Sequence, residues 1–431
     1  MKEYLSTYRE FLIIALIWIS VGMFLGPTIY LVLPVMLLLM YKKEMHLEIF
    51  LGFFLILTLS DSRSSSLHFA SQAKNIYIVL LFLFALGVKS KTELQIKMYQ
   101  YFIPFFIVAL ICIAFNPVPF LSFQKILSYI LLFISIPIYF QYAFNKYGDF
   151  FLKSIVFLVM SILLFGFVIN VLNPSFTNLV GRYKGMLGNP NGLGLYTLLF
   201  IILFTVIIDT KKELYTRREI VIIYIISFLS LIMCGARTSL FASFLFLFFR
   251  KFYKMSPLLG FFIFLISFAI YQAVSSNIEF LIAGLGLSEF LRVDTFSTMS
   301  GRDIAWEFAW QQIQPNFFIG KGFSYTEYIY KANYEYLSLL GHQGAAHNSY
   351  LTFWLDTGLV GLVLFLIGLI ITFFKASKLS PLAIPVLYAV LLSNNFESWI
   401  TASLNPFTIQ LLLILSVIFS QKNNLQESIS E

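Results

Sequence analysis

The chain has 431 residues, of which 59% are hydrophobic and 12% charged, with 29 Lys and Arg against 21 Asp and Glu. Soluble domains carry about a quarter charged residues, so this composition and a mean hydropathy of +0.85 exclude a soluble globular class and point to a lipid bilayer. The net charge of +8 does not mark a nucleic-acid binder, because the basic residues fall in short clusters between apolar runs and not on one face of a folded domain.

A spanning helix takes about 17–25 mainly apolar residues, fewer where it is tilted, buried or re-entrant. In chain order the candidate spans fall at 10–25, 27–41, 46–60, 75–88, 98–115, 124–141, 151–172, 191–208, 219–234, 237–250, 256–274, 349–374, 380–394 and 403–420. The first two runs, and 219–234 with 237–250, lie close enough to be broken or re-entrant pairs. The expected fold is therefore an all-α polytopic membrane bundle of 12–14 transmembrane helices. The first run leads straight into the second without a small-residue cleavage site, which reads as a retained helix and not as a signal peptide. The expected organisation is an N-terminal bundle of about eleven helices over 1–274, one large external loop over 275–348, C-terminal helices over 349–421 and a polar tail over 422–431.

Basic residues set the expected orientation. With the N-terminus inside, nineteen of the 29 Lys and Arg fall in cytoplasmic segments, among them Lys42, Lys43, Lys211, Lys212, Arg217 and Arg218, and ten fall outside. An even number of spans puts both termini in the cytoplasm. The external loop contains turn signals at Ala283-Gly284-Leu285-Gly286 and then the segment Arg302 to Gln314. There Ile304, Ala305, Phe308, Ala309 and Ile313 follow helical spacing, with Trp306 and Trp310 four apart. The expectation is an amphipathic helix lying on the outer leaflet.

Cys112 and Cys234 have no ligand-like spacing, so neither a disulfide framework nor a zinc site is expected. The external ends instead gather Arg182, Lys184, Asn189, Asn191, Arg237, Arg302, His347, Asn348, Asn394, Asn395 and Glu397. Arginine offers fixed, permanently charged donors suited to diphosphate oxygens, and helix starts add oriented N–H groups. A histidine titrating near neutrality is able to take a proton from a sugar hydroxyl. Each residue also has a bland reading: the arginines as interfacial anchors or ion-pair partners, His347 as a helix cap, Glu397 as a salt-bridge partner, and Asn189-Pro190-Asn191 as a turn and N-cap.

In order along the chain stand Gly185-Met186-Leu187-Gly188-Asn189-Pro190-Asn191, Ala236-Arg237-Thr238, Ser300-Gly301-Arg302 with Trp306, Ile319-Gly320-Lys321-Gly322, His347-Asn348-Ser349-Tyr350-Leu351 and Asp356-Thr357-Gly358-Leu359-Val360-Gly361. This set resembles the O-antigen ligase and polymerase superfamily, over about 181–375 by motif and over the whole chain by topology. The resemblance implies a metal-independent, inverting glycosyltransferase without cofactor, working on undecaprenyl-diphosphate-linked glycan at the outer face of the bacterial cytoplasmic membrane. It implies Arg237 and Arg302 as diphosphate ligands and His347 as general base; Arg182 as a further diphosphate ligand, and Asn189, Asn191, Asn348 and Glu397 as supporting residues, are expected from their place at the external helix ends and not from the resemblance. The implied acceptor is a glycan or a lipid A-core, for lipopolysaccharide, capsule or exopolysaccharide, with other polysaccharide-assembly proteins as partners. Ligase and polymerase share this chemistry. The alternative class is a flippase for lipid-linked sugars, which calls for charges along a path inside the bundle and for internal repeats. Neither stands out in these spans.

Overall fold

The structure is a computed structural model that describes residues 8–89, 97–251, 257–276, 302–342 and 344–430. The turn Ala283-Gly284-Leu285-Gly286 and the motif residues Ser300 and Gly301 lie outside the described residues, as do Lys2, Lys91, Lys254 and Arg292.

The chain is a helical bundle because a backbone in lipid must satisfy its own N–H and C=O groups within each segment. The first part runs through α1 (Arg9–Phe24), α2 (Ile29–Lys42), α3 (His46–Ser60), α4 (Phe69–Lys89), α5 (Ile103–Cys112), α6 (Pro119–Tyr147) and α7 (Asp149–Leu172). Then come α8 (Pro190–Thr210), α9 (Arg217–Cys234), α10 (Arg237–Lys251) and α11 (Pro257–Ser276). The loop contributes α12 (Arg302–Ile313), α13 (Tyr325–Ala332) and α14 (Tyr334–Leu339), and the chain ends in α15 (Ser349–Ser377), α16 (Ala383–Phe396) and α17 (Pro406–Ser430). Each of the fourteen apolar runs read from sequence is occupied by one of these helices. Among the described residues six segments are long and apolar enough to cross a membrane: Ser65–Lys89, Met98–Phe115, Pro119–Tyr147, Asp149–Leu172, Pro190–Thr210 and Ser349–Ser377. Shorter apolar helices, such as Ala383–Phe396, lie among them.

Helix α8 is the central post. It is apolar all round, and nearly every residue from Gly192 to Ile208 is buried, the pattern of a helix enclosed on every side. It packs against α9, α10 and α17. Its N-terminal start sits at one end of the bundle, where the start of α15, the end of α16 and the α9–α10 junction also lie.

The loop docks by a different device. Although α15 is continuous in outline, Gly358 breaks it with φ 72° and ψ 178°. The break frees backbone groups that the loop segment 317–322 then pairs: Leu359 N–H donates to Phe317 O at 2.9 Å, and Gly322 N–H donates to Asp356 O at 2.7 Å. Only glycine allows this approach. A Cβ on Gly358 would lie 2.2 Å from Phe318 O, and one on Gly320 would lie 2.4 Å from the Asp356 carbonyl carbon. The buried Asp356 carboxylate then accepts from Ser324 N–H, Thr326 N–H and Thr326 Oγ1, each at 2.8 Å. Those bonds satisfy orphan donors at the start of α13.

One expectation is corrected. The apolar face of α12 (Ala305, Phe308, Ala309, Ile313) does not lie on the leaflet; it is buried in a separate small core with Tyr330, Leu337, Ala346 and Leu355. A nearby protein surface of matching apolar groups takes the stripe that lipid was expected to take. A second difference is a short hairpin, Asn178–Leu179 with Arg182–Tyr183. Val180 and Gly181 both adopt positive φ, 49° and 71°, the backbone of a two-residue type I′ turn.

Candidate active site

Local sequence places each group at a helix end. Asn189 caps α8 by accepting Gly192 N–H at 2.8 Å, with Pro190 at the first helical position, where its missing N–H costs nothing. Asn191, one residue further on, keeps its side chain available. Asn348 caps α15 by accepting from Tyr350 N–H at 2.9 Å and Leu351 N–H at 3.0 Å. The hairpin carries Arg182 over the C-terminal end of α9. There Nε and Nη2 donate to Cys234 O at 3.1 and 2.9 Å, and Nη2 also reaches Gly235 O at 3.0 Å. A cation on the last carbonyls of a helix satisfies orphan acceptors and suits the macrodipole.

Glu397 joins these pieces. Its Oε1 accepts from Arg302 Nη2 at 3.1 Å and from Asn191 Nδ2 at 3.0 Å. Its Oε2 lies 3.2 Å from His347 Nδ1. Asn191 Oδ1 in turn accepts from Arg182 Nη2 at 3.1 Å. One continuous hydrogen-bonded chain therefore runs Arg182–Asn191–Glu397 and branches to Arg302 and His347, linking segments far apart in sequence. Burial works to raise the Glu397 carboxyl, but the His347 hydrogen bond and charge, the Arg302 charge and the Asn191 amide together hold it below its ordinary value. An ionised Glu397 accepts a hydrogen bond from His347 Nδ1–H, which in the neutral imidazole leaves Nε2 with its lone pair.

The surroundings fix His347. Its backbone sits at φ 48°, a left-handed conformation that neighbours must hold in place. Trp306 Nε1 donates to Ala346 O at 3.0 Å. Asn348 N–H donates to Ser398 Oγ at 2.9 Å. The Ser349 hydroxyl lies 2.8 Å from both Asn394 Oδ1 and Glu397 O. The end of α16 thus grips the start of α15 on three consecutive residues. Arg302 also lies over the Phe396 ring, 5.6 Å from its centroid, a cation–π contact that orients the guanidinium.

The remaining sequence candidates separate. Arg237 is exposed at the first position of α10, two residues beyond the Gly235 carbonyl that Arg182 grips. Lys184 turns away: Nζ donates to Leu187 O at 3.3 Å and lies 5.3 Å from the Phe176 ring centroid. Asn395 Oδ1 accepts from Asn348 Nδ2 at 3.3 Å. Two residues enter that sequence reasoning did not assign to the site. Asp61, at the end of α3, accepts Gly188 N–H at 2.9 Å, and a Cβ on Gly188 would lie 2.3 Å from Asp61 O. The other is Ser398. Asp61 carried a readable signal, an acidic residue closing a run without charge from Ile49 to Ser60.

Beside the network lies a pocket of about 230 Å³ whose lining includes Asp61, Asn189, Asn191, His347, Glu397, Ser398 and Trp399. None of the three arginines is part of that lining. Among the described residues no group of three or more His, Cys, Asp or Glu is arranged to hold a metal ion. The arrangement presents two kinds of chemistry side by side: a cationic rim, where Arg182 and Arg302 outnumber the one carboxylate between them, and a polar pocket with a carboxylate-oriented imidazole at its edge.

No curated protein matches this chain. Residues 222–366 match the family model described as O-antigen ligase. The matched stretch runs from within α9 through the loop helices to the middle of α15 and contains Arg237, Arg302 and His347, so over these residues this membrane chain is similar to the O-antigen ligase family.

Proposed function

We propose that the chain is a glycosyltransferase that moves glycan from a polyprenyl-diphosphate carrier, undecaprenyl diphosphate in a bacterial membrane, to a sugar hydroxyl at the outer membrane face. The observation that carries this reading is the convergence of Arg302 and His347 on Glu397, with Arg182 joined through Asn191. The donor's diphosphate lies against the cationic rim of Arg182, Arg237 and Arg302, and its polyprenyl tail leaves toward lipid. The acceptor hydroxyl oxygen bonds to the anomeric carbon from the side opposite the diphosphate. The bond from that carbon to the diphosphate oxygen breaks, and its electron pair stays with the departing diphosphate. The hydroxyl proton goes to His347 Nε2. Configuration inverts.

Glu397 orients the imidazole and stabilises the imidazolium that forms, so it is a positioning residue. The arginines meet charge that grows on the leaving group, an electrostatic contribution of about 10²–10³ in rate per donor. The glycosyl diphosphate bond stores the energy, and the reading needs no cofactor. Ligation to a lipid A-core and polymerisation onto a second lipid-linked repeat use the same step and differ in the acceptor.

The test is glycan transfer by purified protein in nanodiscs from a polyprenyl-diphosphate oligosaccharide, with and without lipid A-core. Loss of transfer in His347→Ala and in Arg302→Ala is expected, and a product ladder distinguishes polymerisation from a single ligation. Full transfer by Arg302→Ala removes it as a diphosphate ligand. Lipid movement across a vesicle bilayer with no transfer from any donor replaces the proposal with a flippase.

A further inference from the structure

The pocket of about 230 Å³ is small beside the roughly 300–1,000 Å³ of drug-sized sites, which leaves room for one ring and not for a chain. Its wall combines groups already committed and groups still open. Asn191 and Glu397 are spent on the network. Asp61 uses Oδ2 for Gly188 N–H, Asn189 uses Oδ1 for Gly192 N–H, and His347 uses Nδ1 for Glu397. Among the described residues no hydrogen-bond partner is found for Asp61 Oδ1, Asn189 Nδ2 or His347 Nε2. The uncommitted set is therefore one carboxylate acceptor, one amide donor and one basic nitrogen, with Trp399 supplying an apolar surface.

That set matches a polyol and not an anion. A sugar hydroxyl donates to a carboxylate and accepts from an amide N–H, while an aromatic face takes the ring's C–H side. A phosphate in the same place would meet Asp61 and Glu397 and no arginine lining. We propose that this pocket is the subsite for the acceptor sugar: it binds a single uncharged hexose or N-acetylhexosamine ring through Asp61, Asn189 and Trp399 and delivers one hydroxyl to His347. The assignment of this ring to the acceptor rests on the glycosyl-transfer reading, because in-line displacement puts the acceptor on the far side of the anomeric carbon from the diphosphate. Ala402, also in the lining, is the position from which a larger side chain fills the space.

The experiment has two arms on the full-length protein in nanodiscs. Saturation-transfer NMR uses methyl glucoside, methyl N-acetylglucosaminide, methyl glucuronide and inorganic pyrophosphate as probes. The neutral glycosides are expected to bind, Ala402→Phe to abolish their signal and keep that of pyrophosphate, and Arg302→Ala to do the reverse. Asp61→Asn, which keeps an oxygen for Gly188 N–H, is expected to weaken the neutral glycosides and admit the glucuronide, and it serves if Ala402→Phe does not fold. In transfer assays the acceptor KM is expected to rise at least about tenfold, a loss of about 1.4 kcal/mol, with donor KM nearly unchanged. Neutral-glycoside binding untouched by both folded variants overturns the subsite, and so does a shift confined to donor KM. Pocket-dependent glycoside binding in a protein that transfers nothing leaves a sugar site standing and rejects the glycosyltransferase reading. Transfer with acceptor KM unmoved rejects the subsite alone.

Discussion

Replacing Glu397 by Gln tests the arrangement most directly. The side chain keeps its shape and loses one charge and one acceptor. In the native site the carboxylate accepts from Arg302 at 3.1 Å, Asn191 at 3.0 Å and His347 at 3.2 Å. A Gln carbonyl is able to keep Asn191 or Arg302, but its amide then faces Nδ1 as a donor. His347 responds by holding its proton on Nε2, the wrong tautomer for a base. The charge lost from between Arg302 and His347 also destabilises the imidazolium formed during transfer. Carboxylates that orient a catalytic or metal-bound imidazole are worth between about 10 and 10⁴ in rate. His347 is 36% exposed, so water partly replaces the lost partner, and a fall of about 10²–10³ in kcat is expected. Arg302, released from its ion pair, faces the diphosphate with more of its charge, so donor KM is expected to stay level or fall. The assay is steady-state glycan transfer in nanodiscs over a range of donor concentrations. An unchanged kcat, or a rise in donor KM with kcat intact, refutes the orienting role.

Three further outcomes follow from the geometry. Gly358→Ala puts a Cβ 2.2 Å from Phe318 O at a φ of 72°; a loss of about 1–3 kcal/mol is expected, read as a lower Tm and faster proteolysis between α12 and α15. Trp306→Phe removes the indole donor to Ala346 O, and a several-fold fall in kcat at constant donor KM is expected, because the loss of roughly 1 kcal/mol loosens the turn that carries His347 without touching the arginines. For pH, the Glu397 carboxyl lies below its ordinary value of 4.5. Its stabilising contribution is present above its unfolded value and is lost as pH falls through the lower folded one. The difference in Tm between wild type and Glu397→Gln is expected to stay constant from neutral pH down to about 4.5 and to close only in stronger acid; closure already at pH 6 contradicts the assignment.

Much of the architecture was legible in the amino-acid order. Each apolar run became a helix because lipid leaves a segment no other way to satisfy its backbone, and that rule needs no knowledge of neighbours. One cap was legible too: Asn189-Pro190 announces a helix start through a side chain that bonds its own backbone, whereas the cap of α15 is Asn348 and not His347. The polar residues at the helix ends stood out by rarity, since Arg182, Arg302, His347 and Glu397 interrupt an otherwise apolar chain. Tertiary structure alone decided which of them meet. Glu397 lies 206 residues from Asn191 and 95 from Arg302, and only the packing of α16 against α15 and α10, with α10 against the central α8, brings them together. The same packing moved α12 from the expected leaflet surface into a protein core, because its apolar stripe found Tyr330, Leu337 and Leu355. It also drew in Asp61, whose place at the pocket depends on a close approach that the missing Cβ of Gly188 permits. Local sequence sets what each residue is able to do, through its donors, its charge and its backbone freedom. Which groups share one carboxylate is a property of helix ends converging in space.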